Sequence, residues 1–193
     1  MKNLLQITII ATLLFACKSE QKKEVKDEHQ HHKVEKKATP KKKVLSPHTY
    51  AMAMVGEAHI HIDYSSPGVR GRMIFGGLLA YDEVWQSGAH NATWLETNKD
   101  LLIDGKTLKA GKYGVFTIPS KKEWTVIFNR NWDQHGKDEY DEKDDVLRFK
   151  VTPEFSDEIT EHLVYKVMKT SDTEGTISLS WEKVTISFLF EAK

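Results

Sequence analysis

The sequence predicts an all-β domain, an antiparallel two-sheet β-sandwich, behind an N-terminal leader and a polar tether. Three observations predict it. Short runs past Pro47 alternate apolar and polar residues with period two, turn residues separate them, and no stretch keeps a long apolar period of 3.6. Side chains on a strand point alternately to opposite faces, so each run offers one face to a core and one to water.

The elements follow in chain order. Ile60, Ile62 and Tyr64 form an apolar face opposite Glu57, His59, His61 and Asp63. Leu101-Leu102-Ile103 runs into Asp104-Gly105, a pair suited to the positive φ angles of a two-residue hairpin. Tyr113, Val115 and Thr117 oppose Phe116 and Ile118; Trp124, Val126 and Phe128 share a face, as do Leu147, Phe149 and Val151. Residues 162–168 continue the series. Two further runs carry Ile177, Leu179 and Trp181, then Val184, Ile186, Phe188 and Phe190. Ala110-Gly111, Pro119-Ser120 and Glu174-Gly175 supply turns. Only residues 155–161 suggest a helical turn or two. About eight or nine short strands without intervening helices imply two packed sheets.

The 193 residues carry 28 basic and 28 acidic side chains, a balance that gives no reason to expect nucleic acid as a partner. The balance hides an asymmetry. Lys18 to Lys43 hold ten lysines against five acids, whereas Val44 to Lys193 hold 17 basic against 23 acidic residues, a net of −6. Ahead of both, Lys2 and the apolar run from Leu4 to Ala16 fit a signal peptide over residues 1–16. That run is too short for a permanent span, which needs roughly 20 residues. Its end, Leu14-Phe15-Ala16-Cys17, resembles the lipobox of bacterial lipoproteins, in which the cysteine thiol receives a diacylglycerol. An ordinary secretory signal followed by a free thiol is the alternative.

Cys17 is the only cysteine, so the body has no disulfide, no cysteine nucleophile and no thiolate metal site. Residues 17–43 read as a lipidated cysteine with a disordered Lys/His-rich tether, too polar to offset its ordering entropy. Such a coil reaches roughly 30 Å on average, and its lysines either approach anionic headgroups or simply keep it soluble. His29, His31 and His32 within it are suited to loose Zn or Cu collection. Residues 44–193 are the sandwich. The expected location is the cell envelope, at the outer membrane or periplasmic face, with the membrane a partner through the lipid.

One stretch has a wider likeness. Gly71-Arg72, Ile74-Phe75-Gly76-Gly77-Leu78, Val84-Trp85, Gly88-Ala89, Ala92-Thr93, Leu108 to Tyr113 and Phe116-Thr117-Ile118-Pro119 together resemble domain-of-unknown-function family twenty-nine-eleven, found in lipoproteins of Bacteroidetes-type bacteria. The resemblance implies an envelope protein with a β-rich fold and implies no activity. A common form of the motif has Gly-Ala-Asn where this chain has Gly88-Ala89-His90, so a ligand role for His90 need not extend to the family.

Two sets of residues invite ligands. His59 and His61 share one strand face at a spacing of roughly 6.5 to 7 Å, a two-point clamp for Zn or Cu that needs further ligands from elsewhere. His90 and His135, both in loops, are the candidates to complete it; the competing reading is a solvated outer face. Arg70 and Arg72 offer guanidiniums suited to carboxylate or phosphate, with Trp85, Trp94 and Tyr81 as stacking surface for a sugar or other ligand. The competing reading pairs Arg72 with an acid and places the tryptophans in the core. The acidic stretch of residues 131–145 lacks the spacing of a calcium loop and reads as solvated. No GxSxG, HExxH or phosphate-loop motif is present. The leading expectation is therefore a non-enzymatic binding module that holds Zn or Cu through His59, His61, His90 and His135. A carbohydrate- or protein-interaction sandwich without metal, or a metal-dependent hydrolase, are the alternatives.

Overall fold

A computed structural model describes residues 44–193. The signal peptide of residues 1–16, Cys17, and the tether with His29, His31 and His32 lie outside the described residues.

The period-two runs pair as antiparallel strands in two sheets. The strands are β1 (His48–Val55), β2 (Ala58–Ser65), β3 (Thr93–Thr97), β4 (Leu101–Ile103), β5 (Lys106–Leu108), β6 (Gly111–Ile118), β7 (Trp124–Asn129), β8 (Asp145–Val151), β9 (Glu154–Lys169) and β10 (Glu174–Ala192). Six form one sheet in the order β1-β2-β3-β6-β7-β8, and four form the other in the order β5-β4-β10-β9. The sheets face each other and do not close into a barrel; the fold is the expected two-sheet antiparallel sandwich.

The alternation rule assigns the core. Ile60, Ile62, Tyr64, Trp124, Val126, Phe128, Leu147 and Phe149 from one sheet meet Ile177, Leu179, Trp181, Ile186 and Phe190 from the other, all at most 6% exposed. Burial of each such side chain contributes about 1.5–3 kcal/mol. Asp104 and Gly105, at φ 50° and 72°, make the tight β4–β5 turn that their identities favour. On the far side of β6 and β7, Phe116 and Ile127 are also fully buried, with Ala92 beside them, because loops fold over that face.

Several elements differ from expectation. Residues 155–161 are strand, the outer half of the 16-residue β9. Phe155 and Ile159 stand four apart, as on one face of a helix, but both are exposed with no core to cover them, so pairing with residues 182–185 of β10 decides the backbone. The two runs ending in Trp181 and beginning at Val184 are one 19-residue strand. A bulge around Glu182, at φ 56°, adds the residue that shifts the buried positions from odd to even numbers. Glu174-Gly175 opens β10; the turn lies just before it, where the Thr170 and Ser171 amides donate to the Glu174 carbonyl at 2.9 and 3.1 Å. β1 and β3 emerge without having been expected, β1 because Ala-Met-Ala-Met carries no polar–apolar alternation.

The chain leaving β2 changes sheets. Ser66 Oγ donates to the Leu163 carbonyl at 2.7 Å, the Val69 amide to Glu161 at 2.7 Å and the Leu163 amide to Pro67 at 3.0 Å. Residues 66–92 then close one end of the sandwich.

Candidate functional site

The closing segment is held by apolar plugs and by a small polar network. Phe75 inserts among three tryptophans, with ring centroids 4.8 Å from Trp124, 6.1 Å from Trp181 and 6.2 Å from Trp85, all edge to face. The tight turn behind Phe75 explains its two glycines. Gly76 sits at φ 82° with a side chain's place taken by the Tyr81 ring, and a Cβ on Gly77 would lie 2.5 Å from the Met73 carbonyl oxygen. Further along, the Ser87 carbonyl accepts from the Tyr165 hydroxyl and from Thr93 Oγ1, each at 3.0 Å, while Ser87 Oγ donates to Thr117 Oγ1 at 3.0 Å. Burial pushes the Tyr165 hydroxyl well above the usual tyrosine range, so it remains a donor. Among the described residues, four of the six non-glycine residues at positive φ, namely Arg70, Asp82, Ser87 and His90, lie in this one segment. Strain of this kind persists only where surrounding contacts impose the backbone.

The segment frames a pocket of about 290 Å³ lined by Arg70, Arg72, Gln86, His90 and the edges of Trp85 and Trp181, among others. No carboxylate lines it, in a body that is acidic overall. Arg72 does not pair with an acid as the competing reading held. Its Nε donates to the Val69 carbonyl at 3.0 Å and one terminal nitrogen to Gly68 at 2.6 Å. Arg70 is exposed, and only its backbone amide meets Glu161, at 2.9 Å. Among the described residues neither guanidinium forms an ion pair with a carboxylate. Trp85 is core, as that reading also held: it is 4% exposed and stacked on Trp181 at 5.7 Å, so its face is closed to a sugar, whereas Trp94 is only partly buried and lies outside the core. The Trp181 indole N–H, beside the pocket and buried, has no hydrogen-bond partner among the described residues. An orphaned buried donor of this kind costs about 1–3 kcal/mol.

The four histidines nominated as ligands fall in two places. His59 and His61 lie on the outer face of β2 with ring centroids 6.2 Å apart. His90 and His135 lie together elsewhere, joined through the backbone by the Gly136 amide donating to the His90 carbonyl at 2.8 Å. The His135 ring is exposed and meets Asp138 at 3.3 Å. Among the described residues, no group of three or more His, Cys, Asp or Glu side chains is placed to hold one metal ion. His90 is at φ 62°, a left-handed backbone that His and Asn both tolerate better than most residues. Asp63, cofacial with His59 and His61, is engaged by His48 at 2.8 Å.

The outer face of β1–β2–β3 carries features that sequence reasoning missed. The His61 ring is sandwiched between Tyr50, at 5.4 Å, and Trp94, at 5.2 Å, each within 19° of parallel. Lys112 Nζ then sits 3.4 Å from the Trp94 centroid and 3.6 Å from that of Trp132. Rings stacked in this way across neighbouring strands turn their edges to solvent, which does not suit the flat stacking of a sugar. The signal for this column lay in cross-strand register, which one strand's sequence does not contain.

Residues 131–145 are not a simply solvated loop. Asp145, its side chain 5% exposed, accepts from Asn129 Nδ2 at 2.8 Å and from the Tyr140 hydroxyl at 2.9 Å, and Arg148 lies 3.3 Å away. Burial raises the Asp145 carboxyl above its usual value against the lowering effect of those donors. It also raises Tyr140, helped by the hydrogen bond to Asp145.

The fold and pocket together define a class: an antiparallel β-sandwich closed at one end by a glycine-rich segment. The chain belongs to the family described as "Protein of unknown function (DUF2911)", whose model matches residues 46–190. No curated protein sequence and no solved structure gives a significant match.

Proposed function

We propose that the protein is a lipid-anchored binding module of the cell envelope whose end pocket takes a small ligand bearing a carboxylate or phosphate. The observation that carries this reading is the pair Arg70 and Arg72, two guanidiniums without carboxylate partners among the described residues at one pocket. Guanidinium matches the planar oxygens of such groups, and each charge-assisted bond is about twice as strong as a neutral one. Arg72 is preorganised by its two carbonyl partners; Arg70 is free to move onto the ligand. His90 and Gln86 add polar contacts at the wall.

The test uses inorganic phosphate, succinate and glucose as probes against the full chain, read by thermal shift and tryptophan fluorescence. Phosphate or succinate is expected to raise the melting temperature, and glucose is not. Arg70→Gln, which removes no structural hydrogen bond, is expected to weaken the effective anion about tenfold. Equal stabilisation of the parent and the variant by every anion would abandon this pocket as the binding site.

Anchoring rests on the Leu14-Phe15-Ala16-Cys17 ending of the apolar leader. Expressed in a bacterial host, the chain is expected to partition with membranes as a species beginning at Cys17 and carrying the mass of a diacylglycerol. Cys17→Ser should release it or leave the leader uncleaved. Recovery of a soluble chain with an unmodified Cys17 thiol would replace the anchor with an ordinary secretory signal.

A further inference from the structure

We infer that the outer face of β1 and β2 is a soft-metal site, in which Met52, Met54, His59 and His61 bind one monovalent copper or silver ion. It is independent of the end pocket.

The starting observation is an inverted strand. In β1 the small residues Ala51 and Ala53 point inward, while Met52 and Met54 are 53% and 54% exposed. Burying a methionine instead is worth about 1.5–3 kcal/mol, and this strand forgoes it twice. The register says what the thioethers face. Met54 is directly opposite His59, and Met52 directly opposite His61. Side chains directly opposite on an antiparallel pair have Cβ atoms about 4.5–5.5 Å apart, so the four form one rectangle of donors on adjacent strands.

The imidazoles are arranged for it. Among the described residues no hydrogen bond engages a ring nitrogen of His59 or His61, whereas His48 and His135 are each held by a carboxylate. Stacking between Tyr50 and Trp94 uses the faces of the His61 ring, and ligation uses a lone pair at its edge, so the stack orients the ligand without occupying it. A metal bound at roughly 2.0 Å from each nitrogen puts two imidazole centres about 6 Å apart; the centroids of His59 and His61 are 6.2 Å apart.

Donor chemistry then selects the ion. Thioethers are soft ligands that favour Cu(I), whereas zinc is held by thiolate, imidazole and carboxylate. With no cysteine in the body, methionine is the soft donor available. Two imidazoles with one or two flexible thioethers satisfy the low coordination numbers of Cu(I) and Ag(I). The expected histidine clamp is thus completed by methionines on the next strand, in place of His90 and His135.

The experiment titrates the full chain with Cu(I), anaerobically and in competition with a coloured Cu(I) chelator, in a background where His29, His31 and His32 are alanine. One ion per chain is expected, with Ag(I) competing for it and X-ray absorption showing both sulfur and nitrogen neighbours. Met52→Leu with Met54→Leu keeps the shape of the face and is expected to weaken Cu(I) about tenfold or more while leaving Zn(II) affinity unchanged. His61→Phe keeps the stack and removes the nitrogen, and should lower Cu(I) affinity as well. Unchanged far-UV circular dichroism in both variants separates ligand loss from unfolding. The inference is overturned if the double leucine variant holds Cu(I) as tightly as its parent, if no sulfur neighbour is seen, or if binding vanishes with the tether histidines.

Discussion

Replacing Phe75 with alanine is expected to cost about 3–5 kcal/mol of folding stability, the usual range for emptying a buried aromatic site. The reason is position. Phe75 is 6% exposed and meets three tryptophan rings edge to face, and such pairs contribute about 0.5–1.5 kcal/mol each beyond burial. It also sits in the segment that closes the sandwich, so the cavity opens onto the end pocket rather than being filled by neighbours. For a body of this size the loss corresponds to a fall in melting temperature of roughly 10 °C. Tryptophan emission should move to longer wavelength in the native state, because Trp85 and Trp181 gain solvent. Phe155→Ala is the internal control: Phe155 is 65% exposed, and its loss should change stability by about 0.5 kcal/mol or less. Urea unfolding measures both. Similar costs for the two would mean that Phe75 is not the plug of the fold.

That contrast shows why some of the fold is legible in sequence. Phe75 and Phe155 are the same residue type, and neither sits in an alternating run. Where alternation exists, it assigns the core face: Ile60 and Ile62, and Trp124, Val126 and Phe128, point into the core, although the opposite face of β7, with Ile127 and Asn129, is buried under loops as well. Where a strand must obey something else, the reading fails. The outer half of β9 is set by its partner, and the bulge at Glu182 by the need to keep β10 facing one core through 19 residues.

The candidate sites divide along the same line. That His59 and His61 share a face follows from spacing within one strand, and the structure keeps it. Which groups stand beside them depends on register between strands, so neither Tyr50 and Trp94 nor Met52 and Met54 were foreseeable from residues 57–67 alone. Arg70 and Arg72 were nominated by type and proximity, and they line one pocket. Trp85 was nominated as a stacking surface, but its face is spent on Trp181. A large aromatic residue announces burial more reliably than it announces a ligand.

Asp145→Ala is expected to cost about 3 kcal/mol, because it strips acceptors from groups that remain buried. Asn129 is wholly buried and would lose one of two partners for its side-chain amide, keeping the Asp141 carbonyl at 2.9 Å. The Tyr140 hydroxyl would lose its acceptor, and Arg148 would keep only Glu142. Asp145→Asn preserves shape and one acceptor, so its cost should be nearer 1 kcal/mol. The pH dependence separates charge from shape. Burial raises the folded carboxyl above 3.8, so the native state holds this proton more tightly than the unfolded chain. The stability contributed by that proton is fully present below the unfolded value and is lost as pH rises through the raised one. The amide variant does not titrate and has no such decline. The stability advantage of the parent over Asp145→Asn is therefore expected to be largest near pH 4 and to shrink toward neutrality. Urea unfolding of the parent and both variants across that interval measures it, and a gap that widens with pH would mean that the three donors outweigh burial at Asp145.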